Sequence, residues 1–149
     1  MHPFLTTAAF LSLLAFLAPQ PARAQGSGAI IPVGWLPALA PSIESTLGHM
    51  KEANSQLEMN SLSRQVAEMR DAQLFILYVR LYERLGKKER EKLLTEQTAW
   101  LKSRKKAAAA AVESEGGSLA ALEANDAEVT LTEKRIVEFR ARLKAKEKK

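Results

Sequence analysis

Three segments with the three-and-four spacing of buried helix faces, separated by two short glycine-bearing breaks, leave this chain few ways to fold. The first runs from about Ser55 to Leu85 without an internal glycine or proline. Leu62, Val66, Met69, Leu74, Tyr78, Leu81 and Leu85 mark its inner face; Phe75, Ile76, Val79 and Tyr82 form a second apolar strip beside it. Gly86 ends that helix, and Lys87 to about Glu113 forms the second. Ser114-Glu115-Gly116-Gly117 is the second break, and Ser118 offers a cap for the third helix. There Leu122, Val129, Thr132, Ile136, Phe139 and Leu143 recur at steps of three, four or seven. Short connections between long helices make neighbours antiparallel. The expected fold is all-α: an antiparallel up-down-up three-helix bundle with a flexible N-terminal segment. An elongated helical hairpin that dimerises is the alternative.

The N-terminus has a different character. Phe4 to Ala18 is almost uninterruptedly apolar, and Pro19, Pro21 and Ala22-Arg23-Ala24 follow it as a small-x-small cleavage site. At about 15 residues the run is short for a membrane span, which needs about 20. Residues 1–24 are therefore expected to be a cleaved signal peptide, and the protein to be periplasmic. Residues 25–41 form a Gly/Pro/Ala-rich linker in which Pro32, Pro37 and Pro41 argue against a continuous helix, although Ile30, Ile31, Trp35 and Leu36 could dock on the body. The domain proper is residues 42–149, with its core at 53–143; Ser42 to Met50 reads as a short helix capped by Ser42 and stopped at Gly48. The chain has no cysteine, which removes disulfides, thiolate chemistry and a lipoprotein anchor.

Inside the second helix, Leu93, Gln97, Trp100 and Arg104 share one stripe, widened by Leu94 and Leu101. An inward guanidinium needs an acceptor, because burying it alone costs several kcal/mol. Levelling Leu85 with Lys88 sets Asp71 beside about residue 102. Reflection through the Gly116-Gly117 turn sets Arg104 near Glu128 and Trp100 near Thr132. Arg104 is thus expected to reach Asp71 or Glu128, with Trp100 between Leu74 and the Thr132–Ile136 turn.

The same register separates charge. Between Ala107 and Glu133 there is no Lys or Arg, while Glu113, Glu115, Glu123, Asp126, Glu128 and Glu133 are acidic. At the other end Arg84, Lys87, Lys88, Arg90 and Lys92 meet Arg140, Arg142, Lys144, Lys146, Lys148 and Lys149. The acidic tip suits a cationic protein partner; the basic end suits anionic lipid or lipopolysaccharide phosphates. Either run also reads as a plain solvated face.

Catalytic and cofactor signatures are not found. His49 has no second His or Cys at metal spacing, no glycine motif cradles phosphate, and Glu113/Glu115 and Asp126/Glu128 are splayed by their two-residue spacing. Basic residues without interleaved aromatics do not suit nucleic acid. The chain reads as a non-enzyme without metal or cofactor.

Ala53 to Asn60, Asp71 to Leu74, Tyr78, the Glu96 to Arg104 run with its Gln97-x-x-Trp100-x-x-x-Arg104 pattern, Gly116-Gly117-Ser118 and Thr132-Glu133-Lys134-Arg135 occur in a telling order. That order resembles the lysozyme inhibitor LprI N-terminal domain family of small exported helical domains, over about residues 50–143. The resemblance marks Asp71, Leu74, Tyr78, Gln97, Trp100, Arg104, Thr132 and Arg135 as its structural motif, and the register adds Glu128 to them. Where that family typically has cysteines this chain has Met50, Leu62, Ala108 and Ala127, which bears on the rigidity of the turn. The resemblance implies binding to lysozyme-type muramidases, cationic proteins with carboxylates in a cleft. The partner-facing residues would be Glu113, Glu115, Gly116, Gly117, Ser118 and Glu123. The alternative function is a periplasmic structural or interaction adaptor that oligomerises through the Phe75–Tyr82 strip or contacts the envelope surface.

Overall fold

The computed structural model describes residues 31, 34–114 and 117–147. Residues 1–30, which include the expected signal peptide and the start of the linker, together with Pro32, Val33, Glu115, Gly116, Lys148 and Lys149, lie outside the described residues. Four helices and no strands make up the described part: α1 (Trp35–Glu52), α2 (Gln56–Glu83), α3 (Lys87–Ala110) and α4 (Ala120–Glu147).

The count of three helices is thus corrected to four. α1 begins at Trp35, inside the stretch read as a linker, and continues through Pro41 and Gly48 to Glu52. Pro37 sits in the first turn, where backbone N–H groups have no helical acceptor anyway. Only Pro41 removes an internal hydrogen bond, and packing outweighs that loss: Ile43 is 1% exposed and Ile31 just upstream is 6% exposed. Ser42 is therefore no cap. His49 lies in the last turn of α1.

α2 starts as its sequence indicates, with the Ser55 hydroxyl accepting the Glu58 N–H at 3.2 Å and the Glu58 carboxylate accepting the Asn54 N–H at 3.1 Å. It turns at Arg84–Gly86 into α3, whose first turn is held by Glu89 accepting the Gly86 N–H. α2 and α4 form the central pair, α1 packs on α2 and α3 packs on α4. Cross-links between α2 and α4 keep a nearly constant offset: Asn125 to Ser63, Arg70 to Glu133, Arg84 to Glu147. That offset makes the two helices parallel, with α3 antiparallel to both, so the up-down-up order holds for α2, α3 and α4.

The core lies toward the Gly86 end. Leu74, Leu77, Leu81 and Leu85 meet Leu93, Ile136, Phe139 and Leu143, with Tyr78 and Trp100 against them. Leu81, Leu93 and Phe139 are fully buried, each contributing about 1.5–3 kcal/mol of apolar transfer energy. Ile76, expected outside the main stripe, is buried, Val79 half-buried, and Phe75 and Tyr82 exposed. Leu94 and Leu101 do not widen the inner stripe of α3; they are 56% and 43% exposed. Among the described residues no helix is long and apolar enough to cross a membrane.

Candidate functional site

Two polar assemblies stand out from this scaffold, one inside the bundle and one at the α3–α4 turn. The first is centred on Arg104, one stripe of α3 away from solvent. Its guanidinium makes a two-pronged pair with Asp71 of α2, through Nη1 to Oδ1 and Nη2 to Oδ2, the second at 3.1 Å. Nη1 also donates to the Thr132 hydroxyl at 2.8 Å, and that hydroxyl donates to the Glu128 carbonyl at 2.7 Å. The bond to Asp71 holds the Arg104 pKa above its ordinary value; burial opposes this, and the charges of Asp71 and Glu128 add to the rise.

The α3–α4 register is shifted by about one turn from the sequence arithmetic. Arg104 faces Thr132 rather than the Glu128 carboxylate, and Trp100 is met by Arg135. What results is an alternating stack. Arg104 lies 5.0 Å from the Trp100 ring centre and Arg135 5.7 Å from it; Arg135 also lies 4.6 Å from the Phe139 ring, and Arg142 5.7 Å from it. Arg135, buried at 8% exposure, donates to Gln97 at 3.2 Å and to Glu138 at 2.6 Å. Arg142 pairs with Glu96 at 3.0 Å. The motif residues Asp71, Gln97, Trp100, Arg104, Thr132 and Arg135 are thereby brought together, with Leu74 in the adjoining core. Tyr78 packs beside Phe139, and its hydroxyl pKa is raised by burial and by neighbouring Tyr82. The stack through Phe139 and Arg142 had no sequence signal beyond their three-residue spacing on α4.

The second assembly is the turn. Glu123, one turn into α4, accepts the backbone N–H of Glu113 at 3.0 Å and of Ser114 at 3.1 Å, and the Ser114 hydroxyl at 2.8 Å, all at one oxygen. Those bonds from Ser114 and Glu113 hold its carboxyl below the usual range. Glu123 is a clamp for the turn rather than a free partner-facing charge. On the other side Asn60 of α2 donates to the Ser118 carbonyl at 2.7 Å. Ser118 therefore does not cap α4, which begins at Ala120. Asn125 donates to the Ser63 hydroxyl at 2.9 Å, and that hydroxyl donates to the Asn60 carbonyl at 3.0 Å. The turn is tied to both α2 and α4 without a crosslink. The four positions singled out by the resemblance sit close to this half of the bundle: Ala108 is buried, and Met50, Leu62 and Ala127 are half-buried.

Glu113 stays exposed, as do Gly117 and Asp126. Beside the turn a groove between α2 and α4 is lined by Leu57, Asn60, Arg64, Glu68, Asp71 and Glu128, among others. Leu57 at its mouth is 81% exposed. Glu68 is paired with Arg64. At the opposite end the basic residues are partly neutralised, Arg84 by Glu147 at 3.0 Å and Lys146 by Glu89 at 2.7 Å. Among the described residues no cluster of three His, Cys, Asp or Glu could hold a metal ion.

No curated protein and no solved structure matches the chain. The lysozyme inhibitor LprI family does match it, over residues 48–139, a span that runs from the end of α1 through the Arg104 layer and the clamped turn to Phe139. With well over half of its length inside that match, the chain belongs to the lysozyme inhibitor LprI family.

Proposed function

We propose that the chain is an exported, non-enzymatic binding protein that inhibits lysozyme-type muramidases through the acidic α3–α4 tip. The observation that carries this reading is the pair of clamps on either side of the turn: Glu123 holds the backbone at Glu113 and Ser114 and Asn60 holds it at Ser118, while Glu113 and Leu57 remain exposed beside them. Backbone already held at Glu113, Ser114 and Ser118 before binding loses little conformational entropy there when it docks. The run from Ala107 to Glu133, free of Lys and Arg, meets a cationic partner favourably even though the chain is net positive. Loss of residues 1–24 at an export cleavage site takes one basic residue, Arg23, and changes the net charge from +5 to +4. The periplasm is the compartment in which such an inhibitor meets its target.

The experiment follows cell-wall lysis by a cationic lysozyme with increasing protein. Inhibition that saturates, and that the Glu113→Lys/Glu115→Lys variant loses, supports the reading. Undiminished lysis at large molar excess of the folded protein overturns it.

A further inference from the structure

α3 carries a second seven-residue repeat that the bundle does not use. Lys87, Glu91, Leu94, Thr98, Leu101 and Lys105 follow one another at alternating steps of four and three, and all six are exposed. With Leu94 and Leu101 this face borders a groove of about 540 Å³ between α2 and α3, floored by Leu74 and Tyr78 and walled by Phe75, itself 63% exposed. A contiguous apolar groove on a small domain is where a partner docks.

The charges on that face say which partner. Laid antiparallel on itself about a point beside Thr98, α3 sets Leu94 level with Leu101 of the second copy. Glu91 then lies within one residue of the level of the copy's Lys105, and the two-fold axis makes the pairing occur twice. Laid parallel, the same helix sets Lys87 on Lys87, Glu91 on Glu91 and Lys105 on Lys105, three like-charge layers that disfavour it. The level of Asp71 with Arg104 and of Tyr82 with Arg90 puts Phe75 near the middle of this stretch, so each copy's ring can close over the apolar centre.

We propose that two copies of the chain associate through the α2–α3 groove, α3 antiparallel to α3 about a two-fold axis near Thr98. The arrangement points the two clamped turns to opposite ends, away from the interface. It stands independently of the muramidase reading.

Because the chain has no cysteine of its own, introduced thiols report the geometry directly. Light scattering of the purified protein from micromolar to millimolar concentration is expected to show twice the monomer mass. Leu101→Glu, at an exposed position, is expected to give the monomer with unchanged helical circular dichroism. Glu91→Lys is expected to weaken association about tenfold, and Glu91→Lys/Lys105→Glu to restore it. In a mixture of Leu94→Cys and Leu101→Cys chains, oxidation should join unlike chains in preference to like ones. A monomer at every concentration, a dimer indifferent to Leu101→Glu, or preferential crosslinking of Leu94→Cys to itself overturns the proposal. So does a monomer whose groove binds lipid vesicles.

Discussion

Removing the Arg104 side chain tests the polar layer that sets how α3 lies between its neighbours. The Arg104 side chain keeps 11% of its exposure and that of Asp71 keeps 50%. The two-pronged pair therefore belongs at the low end of charge-assisted bonds, about 1.5 kcal/mol, since the carboxylate can return to water. The bond to Thr132 adds about 1 kcal/mol and the contact over Trp100 about 0.5 kcal/mol. Arg104→Ala should cost about 3 kcal/mol in total, a fall in Tm of about 12 °C at roughly 4 °C per kcal/mol. Asp71→Ala leaves the guanidinium with Thr132 alone. It should cost about 2 kcal/mol, less than a deeply buried pair because the layer opens onto the groove. Urea unfolding of the two single variants and the double variant closes a thermodynamic cycle, with an expected coupling of about 1.5 kcal/mol. A coupling below about 0.5 kcal/mol would refute the reasoning, because the two groups would then not be stabilising one another.

The Glu123 clamp titrates in a stated direction: its folded pKa lies below the unfolded value, so its contribution is complete above the ordinary carboxylate range and is lost as pH falls through the lowered value. Protection of the Glu113 and Ser114 amides, taken as intrinsic over observed exchange at each pH, should be high at neutral pH, fall only in acid, and be low at every pH in Glu123→Ala; retained protection in that variant contradicts the clamp. Phe139, fully buried beneath two guanidiniums, should lose about 3–5 kcal/mol as Phe139→Ala by denaturant titration. Gly48→Ala should instead stabilise by about 0.5–1 kcal/mol, because a Cβ there meets nothing within 4 Å and the residue sits inside α1; a lower Tm would argue that α1 is not helical at that point.

The inward aim of Trp100 and Arg104 was legible because neighbours on their stripe, Leu93 and Gln97, are apolar or uncharged. The Ser55 start of α2 was legible from its cap and Glu58. The Arg104–Asp71 level followed from a short, well-marked break at Gly86. The α3–α4 level did not, since helix ends around Ser114 and Ser118 are uncertain by a turn, and one turn is enough to exchange Glu128 for Thr132. α1 was hidden by its prolines, whose penalty is small in a first turn and is outweighed by burial of Ile43. Glu123 reads as a surface charge because the donors to its carboxylate, the Glu113 and Ser114 N–H groups and the Ser114 hydroxyl, lie across a turn that periodicity cannot fold. Leu94 and Leu101 read as inward in the sequence because an apolar residue beside a buried stripe carries no mark of which face it shows.

Hydrogen–deuterium exchange of the protein with and without a cationic lysozyme-type muramidase reads the binding surface most directly. Added protection is predicted at Glu113, Ser114 and residues 117–128, together with the Leu57–Asp71 side of the neighbouring groove. An unchanged exchange map, or protection confined to the Lys87 hairpin at the other end, would contradict an inhibitor that works through its acidic tip.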